Sequence, residues 1–106
     1  DDGTIAGWVP LASLPFAPDV ALASVREMHR RHPGMRPDGR YASGFNPGLV
    51  GADGKFWVSA GHYGLDQGIV TLMIENHRSE LTWRLMRNCS YVADGLRGAG
   101  FSGGWL

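Results

Sequence analysis

Apolar positions are densest between Ile69 and Ile74, where Thr71 is the one polar residue in Ile69-Val70-Thr71-Leu72-Met73-Ile74. No proline falls between Asp66 and Arg87, so this run predicts a helix over 66–87. Its first half is apolar nearly all round, the pattern of a helix enclosed on every side. Further on, Leu81, Trp83 and Leu85 alternate with Glu80, Arg84 and Arg87, which predicts one wet end. Glu80 and Arg84 stand four apart in the favourable order for an ion pair, worth about 0.2–0.5 kcal/mol on a helix. The apolar run is far short of the ~20 residues that a membrane span needs.

A second helix is expected over 18–31. Pro18 suits a first helical position, Asp19 complements the positive helix end, and His32-Pro33-Gly34 stops the run. Val20, Ala21, Leu22, Val25 and Met28 form its apolar stripe, with Arg26, Arg30 and Arg31 on the wet side. Shorter helices are expected over 8–14, with Pro10 near the start and Pro15 closing it, and over 91–97 before Gly98 and Gly100. Residues 33–65 are left as a long loop rich in aromatic side chains, in which Lys55–Ser59 alone looks strand-like. Loops of this length in compact domains are usually functional or disordered, and Tyr41, Phe45, Phe56, Trp57 and Tyr63 argue against disorder. The fold class is all-α.

Composition narrows the possibilities. Ten basic residues balance ten acidic ones, so charge offers no basis for binding nucleic acid or a membrane surface. Residues 1–23 hold acids without bases, and arginines then dominate 24–40. The 16 glycines are about twice the usual ~7% share and predict glycine-rich loops. Cys89 is the single cysteine, which excludes an internal disulfide and a thiolate metal cluster. No signal peptide is visible, and the start at Asp1-Asp2-Gly3 is that of a processed or excised segment.

Asp66 lies in Tyr63-Gly64-Leu65-Asp66-Gln67-Gly68. A carboxylate beside glycines at a helix start is commonly a cap. Alternatively it is an acid held on a rigid helix end, facing a cleft lined by the preceding aromatics, with Gln67 offering an amide to a hydroxyl-rich ligand. Glu75 follows the apolar run and needs either a cation or a raised pKa. Arg78 is a ready partner for a buried ion pair, and a general acid is the sharper reading. Asp66 and Glu75 fail as a glycosidase pair, because nine residues of helix separate them by about 13–14 Å and such pairs need ~5–9.5 Å.

Trp57 and Tyr63, with Phe45 and Asn46, would suit a carbohydrate, whose C–H faces stack on rings while its hydroxyls meet amides and carboxylates. The plainer reading is that the aromatics pin the loop to the core, and for Phe56 it is preferred. His29 and His32 are better explained by the negative end of the helix than by a metal, since no third ligand shares their face. No metal or cofactor is expected. No serine sits in a Gly-x-Ser-x-Gly elbow.

The order of several segments carries a resemblance. Asp2-Gly3-Thr4-Ile5-Ala6, Ser13-Leu14-Pro15-Phe16-Ala17-Pro18-Asp19, Gly44-Phe45-Asn46-Pro47 and Trp57-Val58-Ser59 precede Gly64-Leu65-Asp66-Gln67-Gly68 and Met73-Ile74-Glu75-Asn76-His77-Arg78-Ser79. Together they resemble the bacterial glycoamylase-like domain family, which includes endo-β-1,2-glucanases and a related domain of cyclic β-1,2-glucan synthases. The resemblance implies that residues 1–106 are the C-terminal part of an (α/α)6 toroid. The 66–87 helix would belong to its inner ring and 18–31 to its outer ring, the aromatic loop would form cleft wall, and Asp1, Asp2 and Thr4 would lie near the same mouth.

By the same resemblance, the substrate is a glucan oligo- or polysaccharide that is cleaved or transferred by acid–base chemistry. Asp66 is then the catalytic acid, with Glu75 as second choice, and Asn46, Trp57, Tyr63, Gln67 and Phe45 are sugar contacts. The second carboxylate belongs to sequence outside this chain, so the segment alone is expected to be inactive. The rest of the domain, or a second copy, is expected to cover Ile69–Ile74. A periplasmic or extracellular location is implied. The rival reading is a non-catalytic glucan-binding or helical interaction module.

Overall fold

Pro18 opens a 14-residue helix, α2 (Pro18–Arg31), with Asp19 in its first turn and His29, Arg30 and Arg31 in its last. Before it comes the single turn α1 (Val9–Ala12), shorter than the expected 8–14. The chain is seen here in a computed structural model that describes residues 2–106. Two 3-10 turns, Pro33–Met35 and Pro37–Gly39, follow α2. Helices α3 (Gly64–Ser79), α4 (Leu81–Arg87) and α5 (Ser90–Gly98) complete the helical part, which is 53% of the chain.

The region expected as loop contains an antiparallel hairpin, β1 (Phe45–Val50) and β2 (Phe56–Val58). Its turn is closed by Gly51 N–H on the Lys55 carbonyl at 2.9 Å, and Asp53 Oδ1 accepts the Lys55 N–H. Gly54 sits there at φ 75°, a conformation that costs other L-residues about 1–2 kcal/mol. Phe45 faces Val58 and Asn46 faces Trp57, after which the register shifts before Val50. The shift falls at Pro47, which has no N–H to give the ladder. On the other edge of β1, Ile5 and Phe45 exchange backbone hydrogen bonds of 2.8 and 2.9 Å. The fold is therefore mostly helical with a small sheet, a correction to all-α that comes from the local β1–β2 hairpin and the bridge from Ile5 to its edge.

The continuous 66–87 helix is also corrected. It breaks at Glu80, whose φ of 53° is left-handed. Side chains stabilise the corner. Asn76 Oδ1 accepts the Trp83 N–H at 3.1 Å, and Ser79 Oγ accepts the Leu81 N–H at 3.3 Å. Both are donors in the first turn of α4, which has no intrahelical partners for them. The break turns Glu80 away from the expected Arg84 pairing, and its carboxylate instead meets Arg87 at 2.7 Å.

Among the described residues, the buried apolar side chains are Leu14, Ala21, Met35, Ala42 and Phe45. Phe45 is 1% exposed, its ring 5.4 Å from His32 and 5.9 Å from Phe56. Gly7 lies against it so closely that a Cβ there would stand 3.3 Å from the ring. Phe45 is thus a core residue, enclosed on this face and not a sugar platform. The reading of His29 as a cation at a helix end is likewise revised. His32 packs on two phenylalanines, and His29 Nε2 is 2.6 Å from the Tyr41 hydroxyl. Burial, with Arg36 nearby, pulls the His29 pKa below its ordinary value and favours the neutral ring.

This core is small for the length. The radius of gyration is 17.4 Å and the extents are 54 × 25 × 22 Å, whereas a compact chain of this size has a radius near 13 Å. Leu65, Leu72, Leu81, Leu85, Tyr91 and Phe101 are exposed. Of the sixteen residues of α3, the buried ones are Asp66 and Asn76.

Two expectations follow. Phe45→Ala should cost about 3–5 kcal/mol in urea unfolding, as emptied aromatic core sites do, whereas Trp57→Ala should cost less than ~1 kcal/mol. Because the folded His29 pKa lies below its ordinary 6.5, the unfolded chain binds more protons between those values and stability falls as pH drops through that window. Thermal midpoints from pH 8 to 5 should show this slope, and His29→Gln should remove it.

Candidate active site

Three backbone stretches meet beside the hairpin. Ser59 N–H donates to the Gly44 carbonyl at 2.9 Å, and Ser43 N–H donates to the Gly61 carbonyl at 3.3 Å. Trp8 Nε1 donates to the Ser43 carbonyl at 3.2 Å, so the strip from which α1 starts joins the same frame. His62 Nδ1 lies 2.8 Å from the Tyr41 carbonyl, just before the chain enters α3. Neighbouring stretches of backbone therefore carry Trp57 and Tyr63.

Both rings are presented outward. Trp57 is 43% exposed, and the edge of its indole lies near Gly44, where Thr4 also approaches. Tyr63 is 56% exposed and packs against Gly61, where an added Cβ would come within 2.7 Å of its ring. That close approach is the reason for glycine at 61. Gln67 is exposed one turn into α3. A hollow of about 480 Å³ lies beside Trp57, with Gly34, Pro37, Val50 and Phe56 among its walls.

Asp66 differs from its neighbours. Tyr63 is the N-cap, so Asp66 is the third residue of α3, and no side-chain cap bond is made. The capping reading is thereby set aside. The carboxylate is nonetheless 7% exposed, and its Oδ2 is buried without a hydrogen-bond partner. A buried carboxylate oxygen left unpaired costs on the order of 1–3 kcal/mol or more, and a site that keeps one commonly uses it.

Glu75 is not the buried ion pair expected. Its contact with Arg78 is 3.4 Å, and Arg78 is largely exposed. Such a surface pair contributes little. The Glu75 carboxylate also accepts the Ser79 hydroxyl at 2.5 Å. It lies on the same unbroken helix as Asp66, so the axial separation of about 13–14 Å persists.

Asn46 has a different position from the one expected. It is 6% exposed, and its Nδ2 donates to the Asp2 carbonyl at 2.8 Å and to Thr4 Oγ1 at 3.3 Å. Its Oδ1 accepts the Gly48 N–H at 2.9 Å. This amide is committed to the fold. Asp1 lies outside the described residues, while Asp2 and Thr4 are held at the hairpin edge by Asn46. Nothing in the sequence separates a sugar-facing Asn46 from a clamping one, because the two groups its Nδ2 clamps, on Asp2 and Thr4, are more than forty residues away. Among the described residues, no group of three or more His, Cys, Asp or Glu side chains could hold a metal ion.

The sequence model of the Glycoamylase family, described as "Putative glucoamylase", matches residues 1–90. The chain belongs to the Glycoamylase family. It is 37% identical over 99 residues to an exo β-1,2-glucooligosaccharide sophorohydrolase (non-reducing end) of Parabacteroides distasonis, covering 92% of this chain and 13% of that one. A crystallised protein of Bacteroides uniformis ATCC 8492, under the same description as the family, superposes with a TM-score of 0.73 at 29% identity. An endo-β-1,2-glucanase of Chitinophaga pinensis, solved with sophorotriose and glucose, has a TM-score of 0.70 at 24% identity. All of this chain aligns with each structure but only 24% of either, so this glycoamylase-family chain spans about a quarter of those folds.

Asp66→Asn replaces the partnerless buried carboxylate by an amide of the same shape. Urea unfolding should therefore find stability unchanged or raised by about 1 kcal/mol; a clear loss would mean that Asp66 is a structural acceptor.

Proposed function

We propose that this chain is the C-terminal part of a glycoside hydrolase domain that cleaves or transfers β-glucan chains, with Asp66 as a catalytic or water-positioning acid. The observation that carries the reading is the Asp66 carboxylate itself, buried at the start of α3 with Oδ2 unpaired, three residues after the outward-facing Tyr63. Its place in the first turn of α3 complements the positive helix end, but its Oδ2 meets no protein donor. Trp57 and Tyr63 offer faces on which a pyranose ring can stack, and Gln67 offers an amide to its hydroxyls. The 37% identical relative is named for β-1,2-glucooligosaccharides, which makes a β-1,2-linked glucan the substrate class of choice.

The whole domain is proposed to be an (α/α)6 toroid. Support comes from α3, whose exposed Leu65 and Leu72 call for further helices around them. The upstream part of the same domain is the natural cover, and a second copy is the alternative. Asp66 lacks a second carboxylate within glycosidase range on its own helix, so that group is assigned to the upstream part. A periplasmic or extracellular location is part of the proposal, since polymeric glucan must reach the site.

A non-catalytic glucan-binding module remains the second reading. What favours it is what these residues hold: two exposed rings, an exposed amide and a single buried acid at the start of α3. In the natural protein containing this chain, Asp66→Asn should lower kcat by about 10²–10⁴-fold, the range of a general acid or base, and leave glucan binding in place. Unchanged turnover would overturn Asp66 as catalyst and leave the binding module. The purified 106-residue chain should show no hydrolysis of β-1,2-glucan.

A further inference from the structure

Asn46 spends both amide hydrogens on one short segment. Nδ2 reaches the Asp2 carbonyl at 2.8 Å and Thr4 Oγ1 at 3.3 Å, while Oδ1 takes the Gly48 N–H at 2.9 Å. Below it, Ile5 and Phe45 exchange two backbone bonds. Residues 2–5 are therefore laid along the free edge of β1 as a partial third strand, fixed at two points. Thr4 N–H then donates to Asp2 Oδ1 at 2.9 Å, which orients the carboxylate. That bond lowers the Asp2 pKa and keeps the exposed group ionised.

Beside it lies a hollow of about 460 Å³ lined by Asp2, Gly3, Asn46, Pro47, Gly48 and Leu49. This volume is in the range of small-molecule sites. Its lining combines one acidic residue, Asp2, with the apolar Leu49 and Pro47. A pyranose presents the matching pair, vicinal hydroxyls that donate to a carboxylate and a C–H face that covers an apolar surface. Trp57 stands opposite Asn46 across the hairpin, and Thr4 approaches Gly44 where the indole edge also lies. Leu49 lines both this hollow and the one beside Trp57.

We infer that Asp2 forms a glucosyl-binding subsite at the hairpin edge and that Asn46 is the positioning residue that holds Asp2 in place. The inference rests on the glucan reading above and extends it to residues away from Asp66. In it, Asp2 accepts hydroxyl hydrogens of a sugar unit removed from the scissile bond, and no bond is made or broken there.

The test uses the natural protein with sophorotriose as probe. Asp2→Asn should raise KM about tenfold and leave kcat within about twofold, as loss of uniform binding does. Asn46→Ala should raise KM similarly. The double variant should be no worse than the poorer single one, because Asn46 acts through Asp2, whereas a merely structural Asn46 would give multiplied effects. Calorimetric titration in an Asp66→Asn background should show the same tenfold loss of affinity for Asp2→Asn without any turnover. An unchanged KM and affinity for Asp2→Asn overturns the subsite, as does a fall in kcat at constant KM. The enzyme reading itself stands or falls separately, on whether Asp66→Asn abolishes turnover.

Discussion

The structure depends on the double use of Phe45. Its backbone pairs with Ile5 on one side and faces Val58 on the other, while its ring fills the space between His32, Phe56 and Gly7. Hydrogen bonding and apolar burial, made by one residue, join the N-terminal segment, the hairpin and the end of α2. Each of these pieces is marginal alone, since a two-stranded hairpin is barely stable in water. The outward placement of Trp57 follows from this constraint. Period-two alternation along β1 and β2 sends Phe45 inward, and the residue diagonal to it across the pair outward.

How far this was legible in the sequence varied with the range of the deciding interaction. Helix α2 is read with its boundaries, because Pro18, Asp19 and His32-Pro33-Gly34 act within a turn or two. The hairpin carried a local signal in Asp53-Gly54 between Leu49-Val50 and Phe56-Trp57-Val58, a turn dipeptide between strand formers. Pro47 and the register shift obscured it. Phe45 and Asn46 could not be sorted from Trp57 by residue type, because their burial is set by partners from other segments: His32 and Gly7 for Phe45, Asp2 and Thr4 for Asn46. The break at Glu80 was hidden for another reason. Left-handed backbone normally falls to Gly or Asn, and here Asn76 and Ser79 stabilise it from the preceding turn.

Asp66 was legible as chemistry and illegible as geometry. A carboxylate in Leu-Asp-Gln-Gly at a helix start reads first as a cap and only second as a functional acid, and the position of the N-cap decides between cap and non-cap. With Tyr63 at that position, Asp66 points from the third residue of the helix, where it makes no cap bond. Consistency across levels of structure is the norm, and local exceptions tend to fall at functional sites.

Helix α3 inverts the usual arrangement of a small protein's helix. Its buried residues are polar, Asp66 near one end and Asn76 near the other, while its apolar residues are half-covered or exposed. The two polar burials have different physics. Asn76 has its acceptor filled by the Trp83 N–H, so its burial is compensated and the corner to α4 is firm. Asp66 has an oxygen that is not compensated, so its burial opposes folding. At roughly 25 cal/mol per Å², the apolar middle of α3 gives surrounding helices a strong reason to associate. The proposed ring would supply the stabilisation that lets Asp66 keep an unpaired oxygen. A site that carries such a cost is more readily sustained in a large domain with a deep core than in a segment of this length, because the buried fraction of apolar surface rises with size.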